Sequence, residues 1–138
     1  MQSRKVFLAE DVLVAFIDRA HPKHLHATAF FRYFAQEHYF LYTNSEIVIE
    51  VHKKISKDIS SALAKEFLKA LTFSAITILS PEENELKSAI RVLLSSISET
   101  TLEETLMLVM ADKRSIQIIC TFSYIRLLFG VETFYLPV

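Results

Sequence analysis

The sequence predicts a single α/β domain, a three-layer α/β/α sandwich built on a mostly parallel sheet of four or five strands. Three segments carry that reading: residues 6–18 (VFLAEDVLVAFID), 43–50 (TNSEIVIE) and 118–130 (IICTFSYIRLLFG). Each reads as a strand, or the end of one, running into a helix or loop. Strands that alternate with helices pair in parallel and collect their carboxyl ends along one edge of the sheet. Open α/β folds place their sites there.

The elements follow in order. Residues 4–8 (RKVFL) form a short apolar run, expected to be a buried first strand. Asp11 stands in an N-cap position, and Val12, Leu13, Ala15 and Phe16 supply the apolar face of a first helix. Pro22 interrupts the chain, and a second helix from about His24 to Glu37 carries Ala27, Phe30, Phe31 and Phe34 at helical spacing. Residues 39–42 (YFLY) make an aromatic strand, and residues 43–45 cap a third helix holding Glu46 and Glu50. Lys53 and Lys54 follow on that helix, spaced to pair with the two acids. Residues 59–71 repeat apolar side chains at helical period, and residues 75–79 (AITIL) read as another strand. In Ser80-Pro81-Glu82-Glu83, serine is the expected cap and proline the first helical residue of a helix reaching about Ile97. A further helix spans residues 101–112, and residues 116–120 form a strand. A short helix near residues 124–129 and a last strand over 131–136 complete the set.

Composition sets the boundaries of function. The chain has 138 residues, of which 51% are hydrophobic and 22% charged, which suits one domain with a proper core. A net charge of -1 gives no global attraction to nucleic acid, so RNA contact would need a local basic patch. The single cysteine, Cys120, rules out an internal disulfide and lies in an apolar run as a buried hydrophobe. No apolar run reaches the roughly 20 residues of a membrane span, and the first residues do not form a signal peptide. A cytoplasmic protein with no membrane partner is expected. The one glycine, Gly130, excludes glycine-rich phosphate loops. His21, His24 and His26 cluster at a loop-to-helix entry without cysteine, a setting for helix entry more than for zinc.

Together the three opening segments resemble the PIN-domain family, small metal-dependent nucleases, and in length and order the VapC-type toxin ribonucleases among them. The resemblance covers nearly the whole chain. It implies four acidic positions at one sheet edge. Aligned on VFL and VLVAF, the first falls on Ala9, followed by Glu10 and Asp11. The second is Glu50, one turn past the threonine-rich start of its helix. The third, counted back from Met110, is Glu103, with Glu104 as the near alternative, and the last is Ser123 in Thr121-Phe122-Ser123. Ala9, Glu50, Glu103 and Ser123 should therefore converge on one cleft. Two of these four positions keep a carboxylate. Such nucleases hold Mg²⁺ or Mn²⁺ with hard oxygen ligands and leave coordination places open. Here Ala9 offers no ligand atom and Ser123 only a neutral oxygen. Glu50, Glu103 and Asp11 remain as candidate metal ligands, Asp11 or Glu10 lending an oxygen through a rearranged turn. Weak or absent metal binding is expected.

The resemblance thus implies a relative of Mg-dependent toxin–antitoxin endoribonucleases with weakened or lost catalysis, acting as an RNA- or protein-binding module. The alternative is an active, single-strand-specific endoribonuclease using Glu50, Glu103, Glu104, Asp11 and Ser123. A small antitoxin-like protein and RNA are the implied partners. A homodimer is expected through the aromatic helix at residues 30–34 and the apolar helix at 59–71.

Overall fold

The computed structural model of the chain describes residues 4–95, 100–123 and 132–134. Five parallel strands form one sheet: β1 (Lys5–Leu8), β2 (Phe40–Asn44), β3 (Thr77–Leu79), β4 (Ile118–Cys120) and β5 (Glu132–Thr133), in the spatial order β3-β2-β1-β4-β5. The connecting helices are α1 (Glu10–Ile17), α2 (His24–Gln36), α3 (Ser45–Asp58), α4 (Ser61–Phe73), α5 (Glu83–Ser95) and α6 (Leu102–Lys113). The architecture is the expected α/β sandwich with a parallel sheet.

β1 lies in the middle of the sheet, with Val6 paired to Leu41 on one side and to Ile118 on the other. Val6, Phe7 and Leu8 are all fully buried, as a continuous apolar run requires when both faces of a strand are covered. α1 packs on α2, α3 and α4, α3 packs on α4, and α5 packs on α6. α6 buries Thr105 to Leu108, Met110 and Ala111, so it is a core helix with little amphipathic contrast. Phe34 is the hub of an aromatic cluster with Phe31, Tyr33, Tyr39 and Phe134, and Phe30 stacks on Phe122 with centroids 5.3 Å apart. On α2, Phe30 and Phe34 are thus buried in the fold, while Phe31 and Tyr33 are half-buried. The exposed large apolar side chains sit elsewhere, among them Phe73 on α4 and Leu94 on α5.

Several boundaries differ from expectation. α1 begins at Glu10 with Ala9 as its N-cap, because Asp11 turns its carboxylate toward another element. β2 runs on to Asn44, whose Oδ1 caps α3 by accepting from the Ile47 N–H at 2.8 Å. α5 starts at Glu83, two residues after Pro81. Its reach-back contact comes from Glu85, whose Oε1 accepts from the Glu82 N–H at 2.9 Å, not from Ser80. Glu85 is buried and ion-paired with Arg114, which also donates to the Met110 carbonyl at 3.1 Å. Burial alone would push the Glu85 carboxyl up, but the bonds from Arg114 and the Glu82 backbone hold it below its ordinary value. The expected helix near residues 124–129 lies outside the described residues, as do parts of the expected last strand on either side of β5.

Two helix ends reach the left-handed region without glycine. His38 and Ser115 both have φ of 57°. In each case the following N–H closes back on the helix: Tyr39 to the Phe34 carbonyl at 2.9 Å, and Ile116 to Ala111 at 2.8 Å. These are Schellman caps, in which glycine is the usual residue. His24 enters α2 with its Nδ1–H donating to the Ala15 carbonyl at 2.9 Å, and His21 Nδ1 accepts from the Lys23 N–H at 3.0 Å. Both histidines therefore fix the α1–α2 connection.

Candidate functional site

The site lies where β1, β2 and β4 end. The Ala9 N–H donates to the Cys120 carbonyl at 3.0 Å, which carries the β1–β4 pairing one residue past the strand. Thr43, fully buried, donates its hydroxyl to the Leu8 carbonyl at 3.1 Å and ties β2 to the same point. Asn44 turns the chain into α3 and donates from Nδ2 to the Met110 sulfur at 3.5 Å. On the far wall, the Thr101 hydroxyl caps α6 by accepting from the Glu104 N–H at 3.1 Å. The N-termini of α1 and α6 thus point into one cleft, each with two acids in its first turn, where the helix dipole favours negative charge.

That cleft has a volume of about 330 Å³, and Ala9, Glu10, Asp11, Lys54, Glu103, Glu104 and Ser123 are among its lining residues. The structure brings together every site residue named from sequence except Glu50. Glu50 lies outside the lining, one turn before Lys54 on α3, yet its charge acts on both Glu103 and Lys54. Burial, and then repulsion from Glu50 and Glu10, holds the Glu103 carboxyl above its ordinary value. Glu104 is raised too, by burial and then by the Asp11 charge. Cys120 below the floor is buried, and burial pushes its thiol up so that it stays protonated.

Asp11 has a different position from that of a free ligand. Its Oδ2 accepts from the Thr121 hydroxyl at 2.8 Å, the Phe122 N–H at 2.9 Å, the Ser123 N–H at 3.1 Å and the Ser123 hydroxyl at 3.0 Å. Its Oδ1 accepts from the Val12 N–H at 2.9 Å. The carboxylate therefore holds the segment that follows β4, and Ser123 points its hydroxyl at Asp11. Lys54 also departs from expectation. Its ammonium pairs with Glu10 across the α1–α3 contact, while Glu46 takes the hydroxyl of Ser45. The Glu10 bond raises the Lys54 ammonium above its ordinary value against the opposing effect of burial, and the Glu10, Glu50 and Glu103 charges add to the rise.

Sequence reasoning named Lys54 only as a partner for Glu46 or Glu50, and Thr121 only as a neighbour of Ser123, and gave neither a place in the cleft. The signal for Lys54 was its place at i+4 from Glu50 and i+8 from Glu46, the same face of α3. The signal for Thr121 was its position directly after β4.

The donor set does not fit a multi-carboxylate Mg²⁺ or Mn²⁺ site. Such a site needs several anionic oxygens free to converge. Ala9 presents a methyl group, the outward lone pairs of Asp11 are engaged, and Glu10 is paired to an ammonium. Among the described residues no three of His, Cys, Asp and Glu are grouped so as to hold a metal ion.

The parallel sheet, the helix order and the acid-lined cleft at the strand ends define a PIN-like, VapC-like fold. Solved structures bear this out. The chain is similar to the Sarcin-Ricin loop cleaving toxin VapC20 of Mycobacterium tuberculosis, with a TM-score of 0.73 at 14% identity over 83% of this chain and 86% of that one. It is also similar to VapBC2 from Rickettsia felis, solved bound to a DNA fragment from their promoter, with a TM-score of 0.64 at 11% identity over 86% and 88% of the two chains. By sequence, neither a family profile nor a characterised protein matches. Among the described residues no helix is long and apolar enough to cross a membrane.

Proposed function

We propose that this chain is a PIN-fold relative of the metal-dependent endoribonucleases of toxin–antitoxin systems whose catalysis is weakened or lost, and that it acts as a cytoplasmic binding module. One observation carries the proposal. At the carboxyl end of the central strand, where the resemblance implies an aspartate, stands the methyl group of Ala9, and the nearest carboxylate that could replace it, Asp11, is bonded to the segment after β4. Asp11 and Ser123 then serve as scaffold, and Glu50, Glu103 and Glu104 as a charged rim.

An acidic cleft repels a phosphodiester backbone, so a protein partner with basic side chains suits it better than RNA. A small antitoxin-like protein is the partner of that chemistry which the fold resemblance suggests, and a homodimer fits the exposed apolar residues of α4 and α5.

The test is a time course with end-labelled single-stranded RNA in Mg²⁺ or Mn²⁺, comparing the native chain with Glu103→Gln. No metal-dependent cleavage above buffer is expected from either. Cleavage by the native chain that Glu103→Gln abolishes would overturn the proposal in favour of an active ribonuclease. Tight RNA binding that weakens steeply with salt would replace the protein partner with RNA.

A further inference from the structure

The cleft already contains a cation of its own. Lys54 reaches from the third turn of α3 to Glu10 at the start of α1, and its side chain stays half exposed while that of Glu10 is 22% exposed. Three elements meet around that ammonium: α1 through Glu10, α3 through Glu50, and α6 through Glu103. Ala9 beside them contributes no charge. Among the described residues, Lys54 is the ammonium that lines this cleft beside its carboxylates, and it ties α3 to α1.

We propose that Lys54 is the resident cation of the cleft: its ammonium, bonded to Glu10 and flanked by Glu50 and Glu103, compensates the acids that a bound divalent ion compensates in a metal-dependent site. The inference rests on the proposed loss of catalysis but concerns electrostatics, not cleavage. A tethered ammonium has consequences that a bound ion does not. It cannot be removed by a chelator, it carries one charge where Mg²⁺ carries two, and it offers N–H donors with no exchangeable coordination place. Such a cleft keeps its shape at any Mg²⁺ concentration. The elevation of Glu103 agrees: after burial, the Glu50 and Glu10 charges raise it, and the Lys54 and Lys53 charges offset them only in part.

The experiment measures melting temperature with and without Mn²⁺, and Mn²⁺ affinity by calorimetry, for the native chain, Lys54→Met, Lys54→Arg, Glu10→Gln and the double variant Glu10→Gln/Lys54→Met. The native chain and Lys54→Arg should show no Mn²⁺-dependent rise. Lys54→Met should melt lower without metal, and its Mn²⁺ affinity should exceed that of the native chain on the order of tenfold or more, because a positive charge has left the carboxylates. The double variant should recover part of the loss, since the bond to Glu10 is what Lys54→Met breaks. Equal Mn²⁺ responses in the native chain and Lys54→Met would overturn the inference, as would additive effects of the two single changes. Neither result bears on RNA cleavage, which is read separately. If Lys54→Met does not fold, a native-like Mn²⁺ response in Lys54→Arg supports the inference, and a gained response overturns it.

Discussion

Replacing Asp11 with alanine should loosen the segment after β4 and cost about 2 kcal/mol. The Oδ2 atom accepts from four donors on Thr121, Phe122 and Ser123. Hydrogen bonds to a charged acceptor contribute about 1.5–3 kcal/mol when isolated, but four that share one oxygen are not additive. Thr121 is 7% exposed, so its hydroxyl and the Phe122 N–H lose a partner where water has poor access, at about 1 kcal/mol or more each. Ser123 is exposed and rehydrates. Loss of an acid from the first turn of α1 adds about 0.5 kcal/mol, and relief of repulsion on Glu104 subtracts a similar amount. The sum of about 2 kcal/mol corresponds to a fall in melting temperature of roughly 7 °C for a domain of this size. Urea unfolding gives the free energy, and amide hydrogen exchange locates it: Phe122 and Ser123 should exchange faster while the β1 amides hardly change. Asp11→Asn keeps an acceptor and should lose about half as much. A control at the exposed Asp58 should stay within about 0.5 kcal/mol. An Asp11→Ala loss below about 1 kcal/mol, or unchanged exchange at Phe122, would refute the anchoring role.

Other perturbations test separate parts of the fold. Arg114→Met strands the Glu85 carboxylate, which is fully buried, and should cost about 3–5 kcal/mol in urea unfolding, while the double change Glu85→Leu/Arg114→Met should recover most of it. Ser115→Gly should gain about 1 kcal/mol, because Ser115 holds a φ of 57° that glycine adopts freely; a loss in melting temperature would contradict the cap assignment. Glu104 is raised above the ordinary value of 4.5, so its contribution to stability is present below that pH and lost as pH rises through the folded-state value. Glu104→Gln should therefore melt higher than the native chain at neutral pH, with the difference vanishing below about pH 4.5. Glu85 has the opposite sign: lowered in the fold, it stabilises above 4.5, and that stability fades as pH falls through its folded-state value.

The order of elements was legible because each depends on local pattern. The VFL run of β1 can be buried on both faces only in the middle of a parallel sheet, and there it lies. The start of α6 was legible to within a residue, expected at Thr101 and found at Leu102, with Thr101 as its cap. Legibility was poorer at the starts of α1 and α5. Asp11 and Ser80 both suit a cap by residue type, but residue type does not say whether a distant group competes for the same side chain. Donors about 110 positions away compete for Asp11, and for α5 a glutamate inside the helix makes the reach-back contact. The two Schellman caps were invisible, because the sequence signal for that turn is glycine and the chain uses His38 and Ser115.

By itself the sequence determined the parallel α/β fold and, of the four positions expected to converge, the gathering of Ala9, Glu103 and Ser123 but not of Glu50, since periodicity and strand order fix where chain segments start and stop. Only the tertiary structure decided what those residues touch. Helical spacing correctly placed Lys54 on the face of Glu50, but a lysine stem spans more than one turn, and its ammonium goes to the strongest accessible anion. The packing of α1 against α3 makes that anion Glu10. The same packing gave Asp11 to the backbone after β4. Partner choice depends on distances between elements far apart in sequence, and no local pattern encodes those distances.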